Sequence, residues 1–598
     1  MSYTQFFTCL KREYKTRHVA AFDCEGIGGE GNFLCGSVVS ERETCFFTER
    51  GDMLKYLSSG DFANELVAAH NLEYDLSLLT GGHLADWELL YIDSRLLQAV
   101  RHDTSRHTWT LIDSRNLFAG FSVEQLGQIV ATPKLRLPDP LTYKIRHGVH
   151  WPDLDLIEQN EVRQYNLRDS LIVYRALAWL QDELNALGGQ LQSTIAGCAM
   201  DLFRRKHLKT FWRTPDREIN NFYRAAYYGA RVEPVQVGTL MGVNCYDYNS
   251  LYPSVQATLP FPHPDHFRMD PSPHLLSDFD RYQGISMCEI RLPDVYLPPL
   301  PARYENRLFF PAGRLTGVWP LVEIRHALDC GAEIIRLDWV FYSTQSFNPF
   351  TELINDLFAR RLSYKRAGDT RERIFKLLLN ASYGRYGIRS DGALQKLVKY
   401  DSSKPDDFYI GGELRWYGDE LYVLIPCAGE TQPAYSCVSI AAQIAAGARI
   451  RLHQSMLLSG RDTIYVDTDS LMTHGQMTVG EAMGEMRLEH QDAHALIAGP
   501  KEYLLHTPTR VLASHVKGVP QERQEDFIRF GKAQFERPVT LREALQRGDV
   551  PARWKTVVKR RQDVVPKRCP ERPLREWQDY SPTRPWDWIE LQYQMTPQ

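Results

Sequence analysis

The stretch TIYVDTDSLMTHG (463–475) decides the fold of this chain. Its β-branched and aromatic residues predict two strands joined by a tight turn. Two acids, Asp467 and Asp469, lie at that turn, where neighbouring carboxylates repel each other unless a cation lies between them. An ordinary Asp-rich turn has the same composition. A metal-binding role for this segment therefore depends on matching motifs elsewhere in the chain.

A second acidic segment lies upstream, YDYNSLYPS (246–254), in which a predicted strand ends at Asp247 just before a tight turn. Phosphoryl transfer from a nucleoside triphosphate uses two metal ions that carboxylates hold. We therefore expect Asp247 and Asp469 to bind metal, with Asp467 close by.

A helix is predicted between the two acidic segments, in KLLLNASYGRYG (376–387). Lys376, Asn380 and Tyr383 recur on one face of this helix, while its leucines face a core. A lysine on such a face can neutralise triphosphate oxygens, and Asn and Tyr can contact sugar and base. The same spacing also describes an amphipathic core helix.

A third group of acids lies near the N-terminus. Asp23 and Glu25 follow the apolar strand HVAAF (18–22) and project from the same face of it, so both can bind one cation. Asp75 ends HNLEYD (70–75), and Asp169 lies one helical turn after Tyr165. Four acids from three segments suit two Mg²⁺ ions about 4 Å apart, which drive attack of water on a phosphodiester. Tyr165 would orient that water.

In this order, the patterns resemble the motifs of family B DNA polymerases. D-x-E, N-x-x-(F/Y)-D and Y-x-x-x-D are similar to the three motifs of the family's 3′–5′ exonuclease domain. D-x-x-S-L-Y-P, K-x-x-x-N-S-x-Y-G and Y-x-D-T-D-S are similar to its three polymerase motifs. Ala381 stands where the family usually has Ser, and the adjacent Ser382 would point elsewhere on the helix. The resemblance extends from Asp23 to about Lys517.

The resemblance implies roles for individual residues. For the exonuclease it implies metal-site acids at Asp23, Glu25, Asp75 and Asp169, a water-orienting Tyr165, and single-strand contacts at Asn71, Tyr74 and Lys134. For the polymerase it implies nucleotide contacts at Tyr252, Lys365, Lys376, Asn380 and Tyr383, and DNA contacts at Tyr227, Gly229, Lys501 and Tyr503. Tyr252 would pack under the deoxyribose and exclude a 2′-hydroxyl. Two Mg²⁺ per centre are the expected cofactor, and Mn²⁺ can substitute.

Two insertions narrow the resemblance to one branch of the family. Residues 261–349 are rich in Pro with short β-like runs, and 389–427 predict a small β insertion. Insertions at these places are similar to those of protein-primed polymerases, where the first binds a terminal protein and the second surrounds the template and gives strand displacement. The implied partners are template and primer-strand DNA, dNTPs and a terminal protein. Ordinary surface insertions are the alternative.

The expected fold is a multidomain α/β and α+β chain. An RNase H-like exonuclease domain would be followed by a right-hand palm, fingers and thumb polymerase with two insertions. The expected divisions are an exonuclease domain (1–190), palm (191–260 and 428–500), insertions (261–349 and 389–427), fingers (350–388), and thumb with a basic C-terminal region (501–598).

Composition agrees with a globular chain. Of 598 residues, 43% are hydrophobic and 24% charged, with a formal net charge of −4, so a basic groove needs acidic surface elsewhere. Eleven scattered Cys without a C-x-x-C pair argue against a disulfide scaffold and a zinc ribbon. Nine Lys and Arg between 551 and 575 suggest a thumb that grips phosphates, with a disordered solubilising tail as the alternative.

No signal peptide or membrane-spanning stretch is evident, so we expect the protein in the cytoplasm, which is that of a host cell if the chain is viral. We also expect a monomer. Three other functions stay open on sequence alone. They are a nucleic-acid-primed family B polymerase without terminal protein, a DNA-binding nuclease with a decayed polymerase centre, and a non-enzymatic DNA-binding scaffold.

Overall fold

Three large β-sheets organise the chain in a computed structural model. The structure describes residues 6–10, 18–27, 32–63, 65–81, 83–84, 86–92, 95–102, 108–388, 394–405, 409, 412–417, 420–426, 435–538, 554–561, 565–572 and 580–595. Within these ranges, the N-terminal sheet has ten strands, the central sheet nine and the insertion sheet four.

The N-terminal sheet contains both parallel and antiparallel strand pairs. Its strands lie in the order Glu413–Tyr417, Glu420–Pro426, Leu394–Lys399, Glu88–Ile92, Arg95–His102, Thr108–Asp113, Leu66–Ala69, Val19–Ile27, Asn32–Ser40 and Thr44–Phe47. The three strands Val19–Ile27, Leu66–Ala69 and Thr108–Asp113 are parallel, and the other pairs are antiparallel. This parallel centre places the ends of two acidic segments at one edge of the sheet.

The long helix Leu156–Leu187 packs on this sheet and confirms the predicted helix. Its start is defined by Asp155, whose carboxylate accepts hydrogen bonds from the amides of Ile157 and Glu158. These bonds satisfy amide donors that the first turn leaves free. The helix ends at Gly188, which takes a left-handed φ of 90°. The residues Asn166 and Asp169 are consequently fixed on its buried face.

The central sheet carries the second acidic region. Seven of its nine strands lie in the order Val232–Pro234, Thr463–Asp467, Ser470–Thr473, Gln236–Tyr248, Met486–Gly499, Glu502–His506 and Val511–Val516. The other two, Cys569–Pro570 and Tyr580–Arg584, pair with each other, and Tyr580–Arg584 also pairs with Gln236–Tyr248. The hairpin of 463–473 is confirmed, and its second strand pairs Ser470 with Asp247. Strands on both sides of the expected boundary at 500–501 pair within this continuous sheet.

The first insertion is more regular than its Pro-rich sequence indicates. Four antiparallel strands lie in the order Phe267–Asp270, Glu333–Ser343, Gln283–Leu292 and Gly313–Pro320. The helix Leu321–Asp329, which was not predicted, packs against this sheet through Leu321 and Ile324. Most of the prolines lie between these strands, where a missing amide donor costs no sheet hydrogen bond.

The helices of 350–457 agree with prediction. Thr351–Arg366 and Glu372–Gly384 form a helical pair, of which the second contains most of the helix predicted in 376–387, and their buried faces belong to one large core. The helix Val438–Ser459 is buried on nearly every side, so it forms a central support for the palm.

The second insertion contains the predicted β structure but is not a separate unit. Its strand Leu394–Lys399 pairs antiparallel with Glu88–Ile92, which adds the insertion to the N-terminal sheet. Leu397, Tyr422 and Leu424 enter the hydrophobic core of that sheet. Strands near residues 90 and 400, which lie about 300 residues apart in sequence, are therefore neighbours in one sheet.

The C-terminal region is packed where the structure describes it. The strand Tyr580–Arg584 pairs with the start of the central strand Gln236–Tyr248, and the helix Trp588–Met595 packs on the first insertion. Arg568 is one of the nine cations that were predicted to grip DNA phosphates. Its side chain is 1% exposed and donates hydrogen bonds to the Thr583 hydroxyl and the Tyr296 carbonyl. That prediction is wrong for Arg568. Arg553 and Arg575 lie outside the described residues.

The other helices complete the described fold. They are Arg50–Leu57, Leu72–Thr80, Val123–Ile129, Asp139–Arg146, Ile195–Leu202, Arg217–Ala225, Leu251–Thr258 and Gln524–Phe530. Short two-stranded pairs are Phe6–Phe7 with Trp212–Arg213, Phe261–Pro262 with Ser346–Phe347, Ala302–Tyr304 with Arg307–Phe309, and Lys532–Pro538 with Trp554–Arg560. Across the described ranges, every helix is too short or too polar to span a bilayer.

Candidate active sites

The structure brings the four N-terminal acids together. Asp23 and Glu25 come from the strand Val19–Ile27, Asp75 from the helix Leu72–Thr80, and Asp169 from the helix Leu156–Leu187. Burial raises the pKa of Asp23 well above its usual range, and the charges of Glu25, Asp75 and Asp169 raise it further. Burial and Asp169 raise the pKa of Glu25 to about 7. The cluster therefore resists full ionisation unless cations enter it.

Hydrogen bonds hold the members of this N-terminal cluster. Asp75 Oδ1 accepts a hydrogen bond from the backbone amide of Cys24 at 2.8 Å. Asn166 Nδ2 donates to Asp23 Oδ2 at 2.7 Å. Sequence reasoning missed Asn166, although it lies three residues before Asp169 and thus on nearly the same helix face. Asp169 Oδ1 is buried and has no hydrogen-bond partner among the described residues.

The predicted auxiliary residues surround the N-terminal cluster. Lys134 forms an ion pair with Asp169, and its Nζ lies 4.5 Å from the centre of the Tyr165 ring. The Tyr74 hydroxyl is 2.9 Å from the point where a Cβ on Gly26 would lie, so glycine is needed there. Asn71 lies at the rim with a left-handed φ of 85°, and its Oδ1 accepts a hydrogen bond from Arg115 at 2.9 Å.

The acids of the second predicted centre converge at the tip of the central hairpin. Asp467 and Asp469 flank Thr468, whose φ is 65°, and the amide of Tyr248 donates to the Asp469 carbonyl at 2.9 Å. Burial and the charge of Asp469 raise the pKa of Asp247 to about 7, against the opposing charge of Lys376. Burial likewise raises the pKa of Asp469. This second cluster thus also combines buried carboxylates whose full ionisation a bound cation would favour.

A cleft of about 500 Å³ opens on these acids. Its lining includes Asp247, Lys376, Asn380, Asp467, Asp469, Glu489, His490, Lys501, Tyr503 and His515. Lys501 forms an ion pair with Asp467, and its backbone amide donates to the Tyr465 hydroxyl at 2.9 Å. Glu489 was not predicted. It reaches the cleft because the strand Met486–Gly499 pairs with the strand of Asp247, a pairing that no local pattern indicates.

The remaining predicted residues lie beside the cleft. The rings of Tyr252 and Tyr383 are stacked with centroids 4.6 Å apart. Tyr227 packs so closely on Gly387 that a Cβ there would meet its ring at 2.7 Å. Lys365 lies outside the cleft lining, and burial followed by the charge of Arg487 lowers its pKa. Ser382 donates to Gln256 and points away from the cleft, as expected.

The segment that contains Gly229 is held by a buried arginine. Arg449 Nη1 donates to the carbonyl of Tyr228 at 2.7 Å and to that of Gly229 at 2.9 Å. No atom lies within 4 Å of the position of a Cβ on Gly229, so close packing inside the described structure does not require glycine there.

Comparisons with known proteins agree with this architecture. Residues 155–411 match the family model described as DNA polymerase type B, organellar and viral. A probable DNA polymerase of Ascobolus immersus is 26% identical over 279 residues, which cover 44% of this chain and 22% of that protein. The DNA polymerase of Acidianus bottle-shaped virus is 23% identical over 240 residues, covering 38% of this chain and 36% of that protein. The matches thus span well under half the length of these curated relatives.

The solved structures include Phi29 DNA polymerase complexed with primer-template DNA and incoming nucleotide substrates. It has a TM-score of 0.68 with 15% identity, and the match covers 92% of this chain and 99% of that one. The expected fold class, an exonuclease domain followed by palm, fingers and thumb, is confirmed by this match. Residues 155–411 thus match the model of the organellar and viral type B DNA polymerase family, and the chain has the fold of Phi29 DNA polymerase.

Proposed function

We propose that this chain is a DNA-directed DNA polymerase with a separate 3′–5′ proofreading exonuclease. The observation that carries the proposal is the presence of two buried carboxylate clusters on two different sheets, around Asp23 and around Asp247. The curated relatives, whose names are DNA polymerase or probable DNA polymerase, support the first activity.

The residues of both clusters fit Mg²⁺. Their donors are carboxylate oxygens, which hard divalent ions prefer, and one buried oxygen of Asp169 has no partner among the described residues. Asp23, Glu25 and Asp169 would hold metal in the first cluster, and Asp247 and Asp469 in the second, with Asp75 and Asp467 beside them. When bound, the ions would activate the attacking oxygen and neutralise charge on the phosphate.

The surrounding side chains fit substrate binding in the polymerase cleft. Lys376, whose charge opposes those of Asp247 and Asp469, would neutralise triphosphate oxygens, and Lys365, outside the cleft lining, would assist it. Asn380 and the stacked pair of Tyr252 and Tyr383 would contact sugar and base. The remaining DNA contacts would come from Lys501, Tyr503, Tyr227 and Gly229.

The exonuclease has its own positioning groups. Lys134 balances the charge of Asp169, and its ammonium group lies over the Tyr165 ring. Tyr165 would orient the attacking water, and Asn71 and Tyr74 would hold the end of a single strand. In hydrolysis, the water oxygen would form a bond to phosphorus, and the bond between phosphorus and the 3′-oxygen would break. A nucleotide would then be released.

Protein priming is part of the proposal. The two insertions and the likeness to the Phi29 fold support it. A terminal protein would offer a Ser, Thr or Tyr hydroxyl in place of the primer 3′-hydroxyl, so the same cleft could serve both nucleophiles. The second insertion would surround template and open a downstream duplex. The proposed domain limits are those given above, with the palm sheet continuing to Val516.

The two-centre proposal is tested by separating the activities. Asp247→Asn should abolish dNTP incorporation and leave degradation of single-stranded DNA, whereas Asp23→Ala with Glu25→Ala should do the reverse. Circular dichroism of each variant controls for folding. If one set of changes removed both activities from a folded chain, or if wild type with Mg²⁺ did not extend a primer, the proposal would be wrong.

Priming is tested with a linear template, labelled dNTP and a candidate terminal protein. A covalent protein–nucleotide adduct is expected. Efficient extension of an oligonucleotide primer with no adduct would instead favour a nucleic-acid-primed enzyme.

A further inference from the structure

Two histidines and a cysteine meet between the first insertion and the palm. They belong to neither carboxylate cluster. His326 lies on the insertion helix Leu321–Asp329, Cys330 caps the end of that helix, and His453 lies on Val438–Ser459. His326 Nε2 is 2.8 Å from His453 Nδ1 and 3.9 Å from Cys330 Sγ. One ligand atom of each residue lies within 4.8 Å of the others.

The chemistry of this group differs from that of the active sites. Imidazole nitrogen and thiolate sulfur are ligands that zinc prefers, whereas carboxylates alone suit Mg²⁺. Zinc–nitrogen and zinc–sulfur bonds of roughly 2.0 to 2.3 Å place tetrahedral ligands about 3.3 to 3.6 Å apart. The observed distances of 2.8 and 3.9 Å lie on either side of that range, so small side-chain shifts would seat an ion.

A backbone contact orients one ligand. His453 Nε2 is 2.8 Å from the carbonyl oxygen of Leu297, which can only accept a hydrogen bond. The proton of this ring is therefore on Nε2, and the lone pair of Nδ1 faces His326 and Cys330. Metal-binding histidines are commonly held in this way by a carbonyl on the other ring nitrogen. His453 is 1% exposed, whereas Cys330 is half-buried.

We propose that His326, Cys330 and His453 form a zinc site that fastens the first insertion to the palm helix. Water would complete a tetrahedral set. On binding, the Cys330 thiol releases its proton to solvent and His326 carries its single proton on Nδ1, so that no proton remains between the ligand atoms. The ion pair of Glu323 with Arg449, at 2.7 Å, joins the same two helices about one turn away. The metal would thus reinforce a contact that already exists.

The test is titration of the full chain with Co²⁺ after removal of metal by a chelator. Co²⁺ bound to a thiolate gives an intense near-ultraviolet charge-transfer band, which carboxylate-only sites do not give. We expect a band that saturates with one ion per chain and disappears when Zn²⁺, which binds such ligands more tightly, is added. Absence of the band in the wild-type chain would overturn the proposal.

Two cysteine variants locate the site. Cys330→Ser should lose the band, whereas Cys569→Ser, which changes another half-buried thiol, should keep it. Zn²⁺ should also raise the melting temperature of wild type more than that of Cys330→Ser. A band that survives in Cys330→Ser would overturn the assignment. If Cys330→Ser failed to fold, His326→Ala would replace it, and the wild-type band would still decide whether a thiolate site exists.

Discussion

Asp247 shows how one buried carboxylate can set the pH range of a metal-dependent reaction. Burial and Asp469 raise its pKa to about 7, so below this pH the carboxyl is protonated and is a poor metal ligand. The Mg²⁺ concentration for half-maximal dNTP incorporation should therefore increase by as much as about tenfold for each pH unit below about 7. Mg²⁺ titrations at several pH values measure this. A half-saturating concentration that stays constant from about pH 6 to about pH 8 would contradict the prediction.

Asn166 gives a second test at the scale of one residue. Its amide donates to Asp23 Oδ2 at 2.7 Å and so orients this carboxylate, which is a metal ligand in the proposed exonuclease. Asn166→Ala should lower exonuclease activity about 10- to 100-fold, as loss of a group that orients a metal ligand commonly does. Primer extension should be unchanged. Asn160→Ala, on the exposed face of the same helix, is the matched control and should leave both activities intact.

At the scale of elements, the second insertion depends on its attachment to the N-terminal sheet. Leu397 is 2% exposed and enters the core of that sheet, whereas Leu414 on an outer strand is 58% exposed. Leu397→Asp should release the insertion, because a charge cannot be buried in that core without a partner. The variant should then lose long strand-displacement products on a primed circular template.

Addition of a single nucleotide to a short primer should remain in Leu397→Asp, since the cleft around Asp247 lies on a different sheet. Leu414→Asp is the control for the added charge and should behave as wild type. Equal loss of long products in both variants would show that charge alone, and not detachment, caused the effect.

At the scale of the whole molecule, the C-terminal residues connect the palm with the first insertion. The strand Tyr580–Arg584 extends the central sheet, and Leu591 packs with Phe309 and Trp586. Leu591 is fully buried, so Leu591→Ala should lower the free energy of unfolding by about 2 to 5 kcal/mol. Ile589→Ala, at a side chain that is 56% exposed, should change it by less than about 0.5 kcal/mol.

Denaturant unfolding followed by intrinsic fluorescence measures both changes. If the two variants were equally stable, the C-terminal helix would contribute nothing to the packed structure, and the alternative of a solubilising tail would apply to it.

Local sequence determined the acids and the elements that carry them. Patterns of two or three polar residues next to apolar runs were enough to find Asp23, Glu25, Asp75, Asp169, Asp247 and Asp469, because strand ends and helix faces repeat over a few residues. The helical pair of 350–388 and the hairpin of 463–473 were predictable for the same reason.

Only the tertiary structure decided which distant segments meet. Glu489 reaches the cleft through strand pairing, the second insertion joins the N-terminal sheet, and Arg568 turns inward, although its sequence reads as part of a surface cation run. The meeting of His326 and Cys330 with His453, 123 residues later than Cys330, also needed the fold. Sheet edges and helix contacts select partners by shape and burial over the whole chain, and a local pattern contains no information about that choice.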